Sequence, residues 1–197
     1  MFGRDRWSRA KACATALWGH LLDRKSRLES TASVIAVTVA AAQGEIKVVD
    51  TRKTTPLHRR LEKDAVVHGG GVNHRFALYD AVLIKDNHIQ AAGGVVQAIR
   101  NAKAAGKGLR IQCEVEDLAQ LEKALGEGVD SVLLDNMSNA ELAACVALVG
   151  GRAETEASGG MTPERIATLV GIGLDRVSVG GLIHQARWVD LALEFEE

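Results

Sequence analysis

The residues best suited to bind an anion are six basic side chains gathered in two short segments of the sequence. We call this set the basic cluster: Arg52, Lys53, His74, Arg75, Lys85 and His88. The formal net charge of the chain is only -1 at pH 7, so the clustering does not follow from a basic composition. A guanidinium binds carboxylate or phosphate through two parallel hydrogen bonds, and a lysine adds a point charge. The cluster therefore predicts a polyanion site, although surface ion pairs with Glu62 or Asp64 would explain Arg52 and Lys53 equally well.

Lys85 ends an otherwise apolar run, where its ammonium group would be desolvated. A desolvated lysine can be a Schiff-base nucleophile or a phosphate ligand, and the residue types leave both roles open. The glycine run 69–71 leads directly into His74 and Arg75. Without side chains there, the backbone could approach a ligand closely.

Two carboxylates, Glu114 and Asp135, each follow an apolar run one period apart. Such a pair could bind a divalent metal, hold sugar hydroxyls or stabilise a cationic transition state. Capping of neighbouring helices would explain one of them, but less easily both.

Two late glycine loops provide backbone amides that could cradle a phosphate. They consist of Ser158, Gly159 and Gly160, and of Val179, Gly180 and Gly181. Each loop comes after a predicted strand and before a predicted helix, which is where barrels commonly keep a phosphate.

Regularly spaced apolar runs indicate the elements that must position these residues. We predict strands over 46–50, 81–85, 111–114, 131–135, 153–156 and 177–180. The last four end 21, 21 and 24 residues apart, which is the period of a β/α unit. A helix is predicted over 116–125, Ser138 and Glu141 form a capping-box pattern, and Thr162 followed by Pro163 predicts another helix start.

Continuous apolar strands that alternate with helices predict a parallel sheet, and their close regular spacing favours a (β/α) barrel. Six strands rather than eight predict an α/β fold of the incomplete, six-stranded barrel type. The carboxyl ends of barrel strands converge on one face, so the basic cluster, the carboxylates and the glycine loops should share one mouth.

Composition limits the class of protein. The 197 residues are 47% hydrophobic and 25% charged, which suits an ordinary soluble chain with one substantial core. A near-neutral charge gives no field that favours nucleic acid or an anionic membrane. The small apolar stretch Val34 to Ala42 is far shorter than the ~20 residues of a membrane span. The three cysteines, Cys13, Cys113 and Cys145, lack a metal or disulfide pattern and predict buried thiols in the cytoplasm.

From about Gly44 to its C-terminus, the sequence resembles the quinolinate phosphoribosyltransferases, the carboxylating nicotinate-nucleotide pyrophosphorylases. The segments that carry the resemblance are Asp50-Thr51-Arg52-Lys53-Thr54-Thr55-Pro56, Gly69-Gly70-Gly71 with Asn73-His74-Arg75, Leu83-Ile84-Lys85-Asp86-Asn87-His88-Ile89, and Glu156-Ala157-Ser158-Gly159-Gly160. They occur in the order and at the spacing of that family.

The resemblance implies that quinolinate reacts with phosphoribosyl pyrophosphate and Mg²⁺ to give nicotinate mononucleotide, pyrophosphate and CO₂. It also implies that Arg52, His74 and Arg75 hold the two quinolinate carboxylates, with Thr51, Lys53 and Lys85 nearby. Glu114 and Asp135 would contact ribose hydroxyls or the Mg²⁺ complex. The two glycine loops would take the 5′-phosphate, with His184 close by. On this basis the catalytic residues would be Lys53, Lys85, Glu114 and Asp135, and the resemblance implies a homodimer; the cytoplasmic location is the expectation drawn above from the cysteines.

The first part of the chain departs from this pattern. We predict an atypical N-terminal segment over 1–43 and a barrel domain over 44–197. Family members carry a preceding α/β domain that covers the partner's barrel mouth and contributes an arginine, for which Arg4, Arg6 and Arg9 offer no match. A coding sequence for Leu22 to Ile35 read one base later gives a segment similar to the family's missing helix. We therefore expect a frameshifted or truncated product, with apolar surface left exposed.

Three other functions remain open at this level. A Schiff-base aldolase could use Lys85 in a phosphate-binding barrel. A pyrophosphorylase-like protein associated with molybdenum transport has a similar barrel and a different substrate. A truncated, inactive remnant would bind phosphate ligands without turnover.

Overall fold

A computed structural model of the chain describes residues 32–106 and 108–184. All six predicted strands are present, with bounds that differ by at most two residues from those expected. They are β1 (Lys47–Val49), β2 (Ala81–Ile84), β3 (Arg110–Val115), β4 (Ser131–Asp135), β5 (Glu154–Ser158) and β6 (Arg176–Ser178).

The strands form one parallel sheet in the order β1-β6-β5-β4-β3-β2. Consecutive strands are neighbours from β2 to β6, and β6 then pairs with β1, which is the circular order of a barrel. The ladder is open between β1 and β2, where Val72 pairs with Val49 instead. The prediction of an incomplete six-stranded (β/α) barrel is therefore confirmed.

Helices connect the strands and cover the outside of the sheet. A helix over residues 32–41 is α1. The others are α2 (Arg59–His68), α3 (Asp86–Ala92), α4 (Val95–Ala104), α5 (Leu118–Gly126), α6 (Asn139–Val149), α7 (Pro163–Ala167) and α8 (Gly181–His184).

The helix starts follow the capping chemistry expected from the sequence. The Ser138 hydroxyl accepts a hydrogen bond from the Glu141 amide at 3.3 Å, and the Glu141 carboxylate accepts one from the Ser138 amide at 2.7 Å. Thr162 caps α7, with Pro163 as its first residue. The helix expected from 116 starts at 118, because the Asp117 side chain caps it by accepting from the Gln120 amide.

Alternation along the strands separates an apolar outer face from a polar interior. Successive strand residues point to opposite faces of a sheet. On β3, Ile111, Cys113 and Val115 belong to the hydrophobic core beneath the helices. Gln112 and Glu114 alternate with them and are also buried, so they point into the barrel. The interior is therefore lined largely by polar side chains and leads to the mouth.

The glycine run 69–71 packs against α1. A Cβ atom on Gly69 would lie 2.6 Å from the Ala32 carbonyl oxygen, and one on Gly71 would lie 3.1 Å from Ile35 Cγ2. The glycines thus allow α1 to approach the turn, where the sequence predicted approach by a ligand. Ile35 is fully buried in the core.

The domain division after residue 43 stays a prediction. The proposed frameshift also stays a prediction, and most of the segment concerned lies outside the described residues.

Several large apolar side chains are exposed in the loops after β1 and before β2. Leu57, Leu78 and Tyr79 have relative exposures of 101%, 67% and 71%.

Across the residues that the structure describes, no helix is long and apolar enough to cross a membrane.

Candidate active site

Parallel strand pairing brings the predicted site residues to one edge of the sheet. Asp50 and Lys85 directly follow β1 and β2, while Glu114 lies one residue before the end of β3. Asp135 and Ser158 end β4 and β5 and face each other in the ladder register. Because these strands run in the same direction, their carboxyl ends form one mouth.

A buried ion pair anchors the segment that carries His74 and Arg75. Asp50 is fully buried and its Oδ1 lies 2.7 Å from Lys63 Nζ, whose side chain is also buried. The same oxygen accepts a hydrogen bond from the His74 amide at 2.8 Å, and Lys63 donates to the His74 carbonyl at 3.0 Å. Burial raises the pKa of Asp50 above its usual value, while Lys63 opposes that shift. This pair ties the end of β1 to α2 and to the second basic segment.

Arg52 and Arg75 form the cationic part of the mouth. The Nε atom of Arg52 is buried and has no hydrogen-bond partner among the described residues. Arg75 donates from Nη1 to the Ala81 carbonyl at 2.8 Å, which fixes it against the start of β2. The pKa of Arg75 is lowered mainly by burial and, to a smaller extent, by the positive charge of Arg52. Two guanidinium groups that repel each other would both gain from a bound dianion.

The His74 ring points into the barrel. Its Nδ1 accepts from the Arg75 amide at 2.8 Å, and its Nε2 lies 3.0 Å from Gln112 Oε1 and 3.4 Å from Glu156 Oε2. An accepting Nδ1 places the proton on Nε2 in the neutral ring, as assigned from these contacts. Protein groups therefore surround both ring nitrogens, and a contact of His74 with substrate stays a prediction.

Lys85 and Glu114 form a second ion pair, with Nζ and Oε2 2.8 Å apart. The Lys85 side chain is 49% exposed and that of Glu114 is 9% exposed, so the pair lies at the water-facing edge of the interior. His88 Nδ1 accepts from the Lys85 amide at 3.0 Å at the start of α3. Lys53 is exposed on the first loop, and its amide donates to Thr51 Oγ1 at 3.1 Å.

Asp135 lies beside the first glycine loop. Its carboxylate accepts a hydrogen bond from the Ser158 hydroxyl and another from Asn136 Nδ2 at 2.7 Å. Arg165 donates to the Gly159 carbonyl at 2.6 Å and so holds the loop from below. The predicted phosphate loop is therefore built onto one of the two predicted carboxylates.

The Gly159→Ala substitution should damage this corner more than a matched glycine change elsewhere. A Cβ at Gly159 would lie 2.1 Å from Asn136 Oδ1, and the residue has a φ of +88°. Gly171 has a φ of +83° with open space around its Cβ position. Both variants incur a backbone strain of about 1–2 kcal/mol, but only Gly159→Ala must displace Asn136 from Asp135. Thermal unfolding should show the larger loss of Tm for Gly159→Ala; equal losses would contradict the packing described.

The second glycine loop is only partly available to a ligand. The Val179 amide donates to the Val49 carbonyl at 3.0 Å and joins β6 to β1. Gly180 and Gly181 are half-buried at the start of α8. The His184 side chain lies outside the described residues.

The sequence interpretation missed the polar network inside the barrel. Gln112 donates to Glu156 Oε2 at 2.9 Å, and Glu156 is 1% exposed. Arg176 forms an ion pair with Glu154 on the neighbouring strand. Polar residues at every second position of β3 and β5 were the available signal, because period two places them on one face. The role of Lys63 gave no comparable signal.

Two carboxylates are too few for a protein-only metal cage. No group of three or more histidine, cysteine, aspartate or glutamate side chains among the described residues could hold a metal ion. Mg²⁺ usually binds through one or two carboxylates and substrate phosphates, with waters completing its shell. Glu114 and Asp135 fit that arrangement, because two carboxylates are what such a site needs from the protein.

The predicted buried thiols are confirmed for Cys113 and Cys145, while Cys13 lies outside the described residues. Burial, with a smaller contribution from Glu114, raises the pKa of the Cys113 thiol to about 12. Because the thiolate is the reactive form, iodoacetamide at about pH 8 should leave Cys113 unmodified in the folded chain and label it in denaturant. Peptide mass mapping would reveal the difference; fast labelling of the folded chain would contradict it.

Comparison with known proteins gives a consistent result. Residues 30–194 match the family model described as "Quinolinate phosphoribosyl transferase, C-terminal domain". The chain is 41% identical over 178 residues to the nicotinate-nucleotide pyrophosphorylase (carboxylating) of Mycobacterium leprae, covering 88% of this chain and 63% of that protein. The human protein of the same name is 37% identical over 180 residues, covering 88% of this chain and 61% of its own length.

This chain is also similar to a solved structure in both fold and sequence. The crystal structure of NadC from Streptococcus pyogenes superposes with a TM-score of 0.82 at 44% identity, covering 86% of this chain and 60% of that chain. The chain thus spans about three fifths of the length of the relatives it matches.

Proposed function

The chain belongs to the quinolinate phosphoribosyl transferase family, and we propose that it transfers the phosphoribosyl group of phosphoribosyl pyrophosphate to quinolinate, with decarboxylation to nicotinate mononucleotide. Such a reaction is a pentosyl transfer that serves NAD synthesis. The chain then supplies the barrel that binds both substrates and carries the reacting groups.

The observation that supports this proposal most strongly is the pair Arg52 and Arg75. Quinolinate carries two carboxylates on adjacent ring carbons, and two nearby guanidiniums match that pattern of charge. Arg52 Nε is buried without a partner among the described residues. Burial first, and the positive charge of Arg52 second, lower the pKa of Arg75, so its charged form lacks a compensating anion. A bound dicarboxylate would remove both costs at once.

The opposite side of the mouth suits the sugar. When pyrophosphate leaves the ribose C1, the sugar becomes an oxocarbenium-like cation, which nearby carboxylates stabilise. Glu114 and Asp135 are placed for that role and for binding the ribose hydroxyls. The pyridine nitrogen of quinolinate, held by the guanidiniums, then bonds to C1. The C–C bond to the carboxylate next to the ring nitrogen breaks afterwards: CO₂ leaves, the electron pair stays on the ring carbon beside the positive nitrogen, and that carbon takes a proton from water.

Lys85 and Lys53 complete the proposed set. The Lys85 ammonium, oriented by Glu114, would contact a carboxylate or phosphate oxygen, and the exposed Lys53 would help to neutralise the pyrophosphate. The amides of the loops at 158–160 and 179–181 would hold the 5′-phosphate. Mg²⁺ would enter with phosphoribosyl pyrophosphate and neutralise the leaving group, with Glu114 and Asp135 as its protein contacts.

The alternatives lack comparable support. A Schiff-base lysine attacks as the neutral amine, whereas the 2.8 Å contact with Glu114 stabilises the Lys85 ammonium. The molybdenum-associated relative is disfavoured by the carboxylating pyrophosphorylase names of the matched proteins.

A partner subunit over the mouth is supported by exposed Leu57, Leu78 and Tyr79, so we include a homodimer in the proposal. Buried free thiols are in keeping with a cytoplasmic location.

The test is an assay of the purified 197-residue chain with quinolinate, phosphoribosyl pyrophosphate and Mg²⁺. Nicotinate mononucleotide, pyrophosphate and CO₂ should form in equal amounts. None of them should form when EDTA removes the metal. Binding of phosphoribosyl pyrophosphate in calorimetry without CO₂ release would instead identify an inactive remnant. Trapping of substrate on Lys85 by borohydride would favour the aldolase.

A further inference from the structure

One face of α2 contacts both segments of the basic cluster. Arg59, Glu62 and Lys63 occupy positions i, i+3 and i+4, which lie together on a helix surface. Each of the three side chains reaches the backbone of segment 50–55, segment 73–76 or both. None of them belongs to the basic cluster, and none has a role in the chemistry proposed above.

Arg59 bridges the two segments with a single guanidinium. Its Nε donates to Thr54 Oγ1 at 3.0 Å and its Nη2 to the Arg52 carbonyl at 3.3 Å. Its Nη1 donates to the Phe76 carbonyl at 3.3 Å. The planar fork of arginine fixes the relative positions of its nitrogens. One rigid group therefore sets the spacing between the loop after β1 and the segment before β2.

Glu62 and Lys63 continue the same contacts in the protein interior. Glu62 is 1% exposed and accepts from the Thr55 amide at 2.9 Å. Lys63 is 2% exposed and joins Asp50 to the His74 carbonyl. Glu62 thus holds the loop of Arg52, and Lys63 holds the segment of Arg75.

We propose that this face of α2, which we call the α2 brace, positions Arg52 and Arg75 for one dicarboxylate. Two like charges on separate loops would otherwise move apart, and ordering them during binding would cost affinity. The brace fixes them before the ligand arrives. Arg59, Glu62 and Lys63 are therefore positioning residues, and the kinetic consequence rests on the proposed function.

Arg59→Met gives the clearest kinetic test, because Arg59 is only partly buried and a helix tolerates methionine. Its KM for quinolinate should rise at least about tenfold, since a displacement of 1 Å in a site can cost that much or more. Its KM for phosphoribosyl pyrophosphate should rise less than that for quinolinate, because the brace does not contact Glu114, Asp135 or the loops at 158–160 and 179–181, and only Lys53 on the braced loop is proposed to reach the pyrophosphate. Arg59→Lys keeps the charge but loses the fork and should lie between wild type and Arg59→Met.

Arg60→Met is the matched control, because Arg60 is the neighbouring exposed arginine of the same helix. It should leave both KM values unchanged. An unchanged KM for quinolinate in Arg59→Met, or equal increases for both substrates, would overturn the proposal.

Hydrogen exchange tests the brace without any need for activity. In Arg59→Met the Thr55 and His74 amides should both exchange faster, although each is bonded to a different residue, whereas Arg60→Met should change neither. Faster exchange at only one of them, or at neither, would contradict the brace. If the wild-type chain has no transferase activity but both amides respond, the proposed function fails and the brace stands.

Discussion

Arg75→Ala should lower kcat/KM for quinolinate by about a hundredfold, the loss expected for a hydrogen bond to a charged group. The substitution removes one of the two guanidiniums and also the contact with the Ala81 carbonyl. The KM for phosphoribosyl pyrophosphate should change little, because the sugar side of the mouth retains Glu114 and Asp135. Steady-state kinetics with each substrate varied in turn would separate the two effects.

Arg75→Lys and Arg100→Ala serve as comparisons. Lysine keeps the charge but cannot form two parallel hydrogen bonds, so Arg75→Lys should recover only part of the loss. Arg100 pairs with Glu127 on the outer surface and should be dispensable for turnover. Full activity in Arg75→Ala would remove the assignment of the clamp.

Lys63→Met should produce the largest change in stability, about 3–5 kcal/mol of the free energy of unfolding near neutral pH. It leaves the Asp50 carboxylate fully buried without its cation. Denaturant unfolding, with hydrogen exchange as a check on the fold, would measure the loss.

The loss should shrink as the pH falls. Burial raises the pKa of Asp50 above its ordinary value, and the facing groups that oppose this shift are Lys63 and His74. Because the pKa of Asp50 is higher in the folded chain than in the unfolded chain, protonation of Asp50 stabilises the fold at acid pH. This contribution is lost as the pH rises. Removing Lys63 raises the pKa of Asp50 further, so the variant gains more than the wild type on acidification.

The double variant Asp50→Asn with Lys63→Met isolates this effect. It removes both Asp50 and Lys63 and leaves His74 in place, as Lys63→Met does, so its stability relative to wild type should vary less between about pH 5 and about pH 8 than that of Lys63→Met. It should also be more stable than Lys63→Met near neutral pH. A deficit in Lys63→Met that does not change with pH would mean that Asp50 is not the responsible group.

The strands and the mouth could be predicted because both depend on local pattern. Apolar runs at a spacing of 21 to 24 residues define β/α units, and parallel pairing then carries Lys85, Glu114 and Asp135 to one edge. Capping at Ser138 and Thr162 was equally readable, because it depends only on residues three or four apart.

The support beneath the site could not be predicted in the same way. The Asp50–Lys63 pair and the three contacts of Arg59 join residues that are close only after folding. On the sequence, Arg59, Glu62 and Lys63 look like the charged face of a surface helix. The contact of the glycine run 69–71 with α1 could not be predicted for a related reason, and the approach of this run to a ligand stays a prediction. The site residues proposed to contact substrate stay predictions.

Equilibrium binding of quinolinate is the most direct test of the two-guanidinium clamp. Calorimetric titration of the chain with quinolinate should show binding that weakens at least about tenfold in Arg75→Ala, in line with the loss of one charged contact. Nicotinate, which has the same ring and a single carboxylate, should bind as weakly to the wild-type chain as quinolinate binds to Arg75→Ala. Equal affinity of the wild-type chain for quinolinate and nicotinate would contradict the clamp.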